Sequence, residues 1–263
     1  MRKLLLWLLA VLLTVSSAVY QRMTGPTYPL RGRAIVANEE IRFRLPRSYE
    51  ITSDCPVVVK TADARISGRL EYKRYKTSDA WTDVPMTRED DRLVGHLPRQ
   101  PMAGKLAYRV FLADGAEEVS LTGEEQVIIR FKGVVPGSVL IGHVIFMFLA
   151  MLFSTRAGLA ALDRKSHPRK LVLWTVGLLF IGGFIFGPLV QKYAFDAWWT
   201  GFPFGFDLTD NKTLIAMAGW VAALVAGRGD RPARGWVLAA GVLMLVIFLI
   251  PHSLLGSELK YPD

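Results

Sequence analysis

Residues 139–155, VLIGHVIFMFLAMLFST, decide how this chain is read. They form the first long apolar run after an extended tract of mixed, charged sequence. A helix needs roughly 17–25 apolar residues to cross hydrocarbon, so the run sits at the lower limit for a spanning segment. Further apolar runs follow at 171–192, 210–227 and 236–251. Upstream of 139 the pattern is β-like, and downstream it is membrane-like. The expected fold class is therefore mixed: an exported all-β domain over 31–132, then an all-α four-helix transmembrane bundle over 138–256 and an outer tail over 257–263.

The net charge of +9 invites a nucleic-acid reading until its location is checked. Much of the excess flanks apolar runs. Arg2 and Lys3 precede the first run, and residues 156–170 carry Arg156, Arg164, Lys165, Arg169 and Lys170 against Asp163. Residues 228–234 carry Arg228, Arg231 and Arg234 against Asp230. Such a bias is a topology device, because basic loops stay on the cytoplasmic side. It is no nucleic-acid footprint. With both basic loops inside a plasma (inner) membrane, the β domain, the loop 193–212 and the C-terminus fall on the exported side.

The N-terminus agrees. Residues 1–20 have a basic start, an apolar core and the small residues Ser16 and Ala18 at peptidase spacing, which fits a signal peptide or a signal anchor. The reading taken is the anchor. Gly25, Pro26 and Pro29 make 21–30 an extended linker. From 31 to 132, apolar residues recur with a period of two: Ile41, Phe43 and Leu45, then Leu70 and Tyr72, then Leu106, Tyr108, Val110 and Leu112. Polar residues lie between them, as in half-buried antiparallel strands, and turn residues separate the groups. The only cysteine, Cys55, offers neither an internal disulfide nor a zinc pattern.

Four stretches carry a resemblance. They are Leu70-Glu71-Tyr72, Trp81-Thr82-Asp83-Val84-Pro85-Met86, Leu93-Val94-Gly95-His96-Leu97-Pro98 and Leu106-Ala107-Tyr108-Arg109-Val110. Together, residues 70–114 resemble an immunoglobulin or fibronectin type III module, without the Cys–Trp–Cys core of antibody domains. The resemblance implies a β-sandwich used for binding or spacing, and no activity.

In the bundle, Gly182, Gly183 and Gly187 make one helix nearly smooth, and Gly183 with Gly187 forms a GxxxG suited to close helix packing. Pro188 is expected to bend or end that helix. The loop 193–212 is dense in aromatic residues. Trp198, Trp199, Phe202 and Phe204 suit the membrane–water boundary or a docking surface. Asp207 and Asp210 read as caps of the following helix. His143 and His252 are expected at the outer ends of the first and last bundle helices, and Met147 lies one turn from His143. Two imidazoles, or imidazole with thioether, suit haem b or copper.

Two functions follow as expectations. The first is a non-catalytic membrane protein that presents its sandwich, or its aromatic loop, to a protein partner, with the lipid bilayer as its medium. The alternative is a redox or metal-handling membrane protein built on His143 and His252.

Overall fold

The alternation upstream of residue 132 becomes eleven strands. In chain order these are β1 (Leu30–Val36), β2 (Glu39–Leu45), β3 (Ser48–Glu50), β4 (Cys55–Lys60), β5 (Ser67–Arg74), β6 (Thr82–Pro85), β7 (Thr87–Glu89), β8 (Arg92–Leu97), β9 (Lys105–Ala113), β10 (Glu118–Ser120) and β11 (Val127–Lys132). The structure is a computed structural model that describes residues 1–115, 117–228, 233–251, 256 and 258–261. The chain divides into two compact units, one of Met1–Pro26 with Val135–Ser257 and one of Thr27–Val134 with Glu258–Asp263.

The second of these, the β unit, holds two sheets. One runs β1-β2-β4-β8-β7, and the other runs β3-β11-β9-β5-β6 with β10 paired to β9. The period of two sorts the side chains. Ile41, Phe43 and Leu45 of β2 turn inward while Arg42 and Arg44 turn out. Val57, Val59, Leu93 and Leu97 from the first sheet join Leu70, Leu106, Tyr108, Val110, Leu112, Ile129 and Phe131 from the second in one buried core. The Tyr108 hydroxyl is met inside that core by the Pro46 carbonyl at 2.7 Å. Cys55 is buried there too, and burial pushes its thiol up to about 12, which makes it inert near neutral pH.

Described residues of the expected outer tail pack on the β unit. Glu258 bridges Lys76 at 2.9 Å and Lys105 at 2.8 Å. The Leu259 amide donates to the Ala103 carbonyl, and the Tyr261 hydroxyl reaches Gln100 at 3.0 Å. Paired cations on the sheet explain the docking: they give the acidic segment somewhere to neutralise.

The helical unit contains α1 (Arg2–Thr24), α2 (Gly137–Ala161), α3 (Arg169–Phe180), a π-helical segment (Ile181–Phe186), α4 (Gly187–Phe195), α5 (Leu208–Ala226) and α6 (Arg234–Leu249). Among the described residues, three helices are long and apolar enough to cross a membrane: α1, α2 and the continuous rod Arg169–Phe195. The shorter apolar helix α6 has 16 residues, about 24 Å at the helical rise. Pro188 does not end the rod. It has no N–H to give, and just ahead of it Gly187 pairs five residues back with the Gly182 carbonyl, so the chain widens into a π turn and continues.

Small residues set the helix spacing. A Cβ on Gly241 of α6 would lie 3.3 Å from the Gly158 Cα of α2. Met151, Leu179, Trp220 and Met244 fill the interior around them. Helix α2 runs on past residue 155, so Arg156 is a buried helical residue with its guanidinium 5.5 Å from the Trp7 ring, not a loop cation.

Candidate functional site

Three places in the helical unit hold polar side chains whose hydrogen bonds bear on function. The first is the loop between α4 and α5. Asp207 caps α5, accepting from the Thr209 amide at 2.7 Å and from the Asp210 amide. Asp210 is only 7% exposed, and its carboxylate turns back to hold the loop. It accepts from the Thr200 amide at 2.7 Å, the Gly201 amide at 3.0 Å and the Thr200 hydroxyl at 3.2 Å. Asn211 accepts from the Phe202 amide at 2.7 Å, and Gln191 donates to the Thr200 hydroxyl at 2.6 Å. Position 201 admits no side chain: a Cβ would stand 2.6 Å from that of Asp210.

The aromatic rings divide on this frame. Trp199 turns back, stacking on Phe184 at 5.7 Å and donating to the Phe202 carbonyl at 3.0 Å. Trp198, Phe202, Phe204 and Phe206 stand outward, with Phe204 83% and Phe206 91% exposed. A fixed backbone thus carries exposed rings, with the Lys192 ammonium 5.9 Å from the Trp198 ring. It was legible only as an aromatic-rich loop, and Phe206 belongs with the four rings singled out from sequence.

The second place is Lys212, which sequence reading passed over because it opens an otherwise apolar helix. It is 5% exposed, and its ammonium donates to the carbonyls of Ile250 at 2.9 Å and Pro251 at 3.3 Å. Gln21 of α1 donates to the same Ile250 carbonyl at 3.1 Å. These carbonyls follow the end of α6, where helical carbonyls lack partners and the dipole favours a cation. A cavity of about 20 Å³, enough for roughly one water, adjoins Lys212, Gln21, Thr209, Thr213 and Met147.

The third place is His143. Its Nδ1 lies 2.9 Å from the Gly182 carbonyl. A carbonyl only accepts, so Nδ1 carries the proton, and a neutral ring then presents its lone pair at Nε2. Met147 follows one turn later and packs against Gly182, whose added Cβ would lie 2.9 Å from the Met147 sulfur. Gly183 faces α5 instead: its Cβ would meet Thr213 at 2.5 Å. A Cβ added to Gly187 would lie 3.9 Å from His143 Cε1. The π turn therefore sends Gly182 and Gly183 to two different neighbours. His252 lies outside the described residues.

Chemically, the three places differ. The Asp210 and Lys212 groups bond chiefly to backbone and act as ties between helix ends. His143 alone offers an unshared ring nitrogen. Comparison with protein-family models, with curated proteins and with solved structures finds no match to this chain.

Proposed function

We propose that this is a multi-pass membrane protein that presents an immunoglobulin-like sandwich to a partner in a membrane assembly, without chemistry of its own. The observation that carries the reading is how three polar groups of the helical unit are spent. Asp210, Lys212 and Gln21 each bond to backbone at a helix end or loop, which is scaffold work.

The strand order supports the sandwich. The run β2-β4-β8-β7 follows the A-B-E-D sheet of such modules, and β11-β9-β5-β6 follows G-F-C with an added C′. Strands β1 and β3 are additions at the edges. For α1, the signal-anchor reading is supported by its buried face of Ala10, Thr14 and Ser17 and by the Gln21 bond.

Parity supports an even number of crossings after the β unit. The described tail residues pack on that unit, so the chain leaves it at α2 and returns to it on the same side of the membrane. Four crossings, through α2, the Arg169–Phe195 rod, α5 and α6, satisfy this. The basic-loop bias then places the β unit and the aromatic loop on the exported side of a plasma membrane.

A photo-crosslinking amino acid at Phe204 of the full chain tests the partner directly. Discrete protein adducts are expected in intact cells. Adducts to lipid alone would make the aromatic loop a membrane-boundary device and leave the partner to the sandwich, where the same probe at Trp81 decides.

One observation favours a second reading, a haem b or copper protein. The backbone bond to Nδ1 fixes the His143 tautomer, as partners of metal-bound imidazoles do, and it falls at a π turn. A Soret band or stoichiometric copper in the purified chain, lost in His143→Ala, would establish that reading.

A further inference from the structure

The β unit has a basic cleft that neither function uses. It measures about 290 Å³ and is lined by Thr27, Pro29, Arg44, Arg47, Ser48 and Pro56, with Val58 beyond. No carboxylate lines it. Among the described residues, neither the Arg44 nor the Arg47 guanidinium forms a hydrogen bond or ion pair.

The strand register sharpens the point. In the β1–β2 ladder Arg31 stands directly opposite Arg44, and Arg33 opposite Arg42. Like charges in direct cross-strand pairs destabilise a sheet. The outer pair is relieved by Glu40, which reaches Arg33 at 3.5 Å and Arg42 at 3.1 Å. The pair beside the cleft has no such relief. Arg31 stacks on the Tyr28 ring at 5.3 Å, and Arg44 faces the cleft with Arg47. Two guanidiniums and two hydroxyls thus line one cleft with proline walls, the donor types that charge-assisted anion binding uses.

Connectivity says where the anion comes from. Thr27 follows the last residue of α1 by three positions, at most about 11 Å of chain. Strand β1 leaves from that point and β2 returns antiparallel to it, which sets Arg31 and Arg44 at the same end. Arg47 is tied there as well, its carbonyl accepting from the amide of Arg130, seven residues ahead of the start of α2. The passage of chain from α1 into the β unit thus ends at the cleft, which Thr27 lines.

We propose that this cleft binds the phosphate of an anionic phospholipid headgroup. Arg44 and Arg47 grip the phosphate oxygens, and Thr27 and Ser48 offer hydroxyls to it or to the rest of the headgroup. The lipid source rests on the reading that α1 and α2 cross a membrane; the anion chemistry does not.

The test uses the purified full chain in detergent, titrated separately with short-chain phosphatidylglycerol, short-chain phosphatidylcholine and inorganic phosphate, with bound species counted by native mass spectrometry. Phosphatidylglycerol should bind most tightly. The Arg44→Gln/Arg47→Gln pair should lose about thirtyfold of that affinity, roughly fivefold per basic residue at an anionic surface. The Arg33→Gln/Arg42→Gln pair should lose little. Should the first pair fail to fold, a photoreactive phosphatidylglycerol on the unaltered chain decides, with adducts expected in residues 27–29 and 44–48. Equal binding of the two lipids, an unchanged Arg44/Arg47 variant, or adducts only elsewhere would overturn the site. Inorganic phosphate binding as tightly as phosphatidylglycerol would overturn the lipid assignment. Alkaline carbonate extraction of cell membranes checks the membrane reading separately: an extracted chain that still binds the lipid would lose that reading and keep the site.

Discussion

The two units are built inside out relative to each other. In the β unit, aliphatic residues such as Ile41, Leu70 and Ile129 are within 1% of full burial, and Arg130 is its one buried charge among the described residues. In the helical unit, Ile145, Phe180 and Trp174 are half exposed or more, while Arg156, Asp210 and Lys212 are buried. Water and lipid explain the inversion. Water rewards the removal of apolar surface. Lipid gains nothing from that removal and penalises any polar group left unmet, so polar groups turn inward; Asp210 and Lys212 find hydrogen-bond partners there, while Arg156 lies over the Trp7 ring with Nε and Nη1 unbonded. The units differ in solvent more than in packing.

Four experiments press on this contrast. The largest effect is expected from Lys212→Leu, which strips one donor from the Ile250 carbonyl and the only recorded donor from that of Pro251. The helical unit should lose about 3 kcal/mol, read as unfolding in a detergent titration. A gain in stability would break the contrast, because the buried amine would then be kept for function at a structural cost. Gly183→Leu should come next, at about 2 kcal/mol, since its Cβ would meet Thr213 at 2.5 Å across the helix contact. The same detergent titration reads it.

In the β unit, Tyr108→Phe removes one internal hydrogen bond and leaves the Pro46 carbonyl unmet. A loss of about 1 kcal/mol in stability is expected, read from the lowered urea midpoint of its transition. The smallest effect is local. Burial works to raise the Glu258 carboxyl, but hydrogen bonds from Lys105 and Lys76 outweigh it and hold the group below its ordinary value. A depressed folded value means that docking of the tail is fully supported above the ordinary glutamate value, near pH 4.5, and is lost as pH falls through the folded one. Limited proteolysis across that range should cut near residue 258 at low pH before the β unit unfolds.

Periodicity made much of the architecture legible. Alternation in Ile41-Arg42-Phe43-Arg44-Leu45 marked a strand and its inner face, and the long apolar runs marked helices. What stayed hidden depended on partners far away in sequence. Lys212 reads as a helix-start lysine until the carbonyls of Ile250 and Pro251 arrive beside it. Arg156 reads as a loop cation because an apolar count stops at Thr155, whereas the helix continues to Ala161. The π turn is invisible to a period of 3.6, though Pro188 hinted at a disturbed ladder. The facing of Arg31 and Arg44 needed strand register, which hydrophobic pattern alone does not give.

The docked tail has a consequence for biogenesis. Strand β11 ends at Lys132, and Glu258 is polymerised more than a hundred residues later. At ribosomal speeds that interval is on the order of ten seconds. Through it the nascent β unit shows Lys76 and Lys105 without their carboxylate. Arrival of Glu258 and Tyr261 closes that basic face, so the unit is finished by residues made well after its strands.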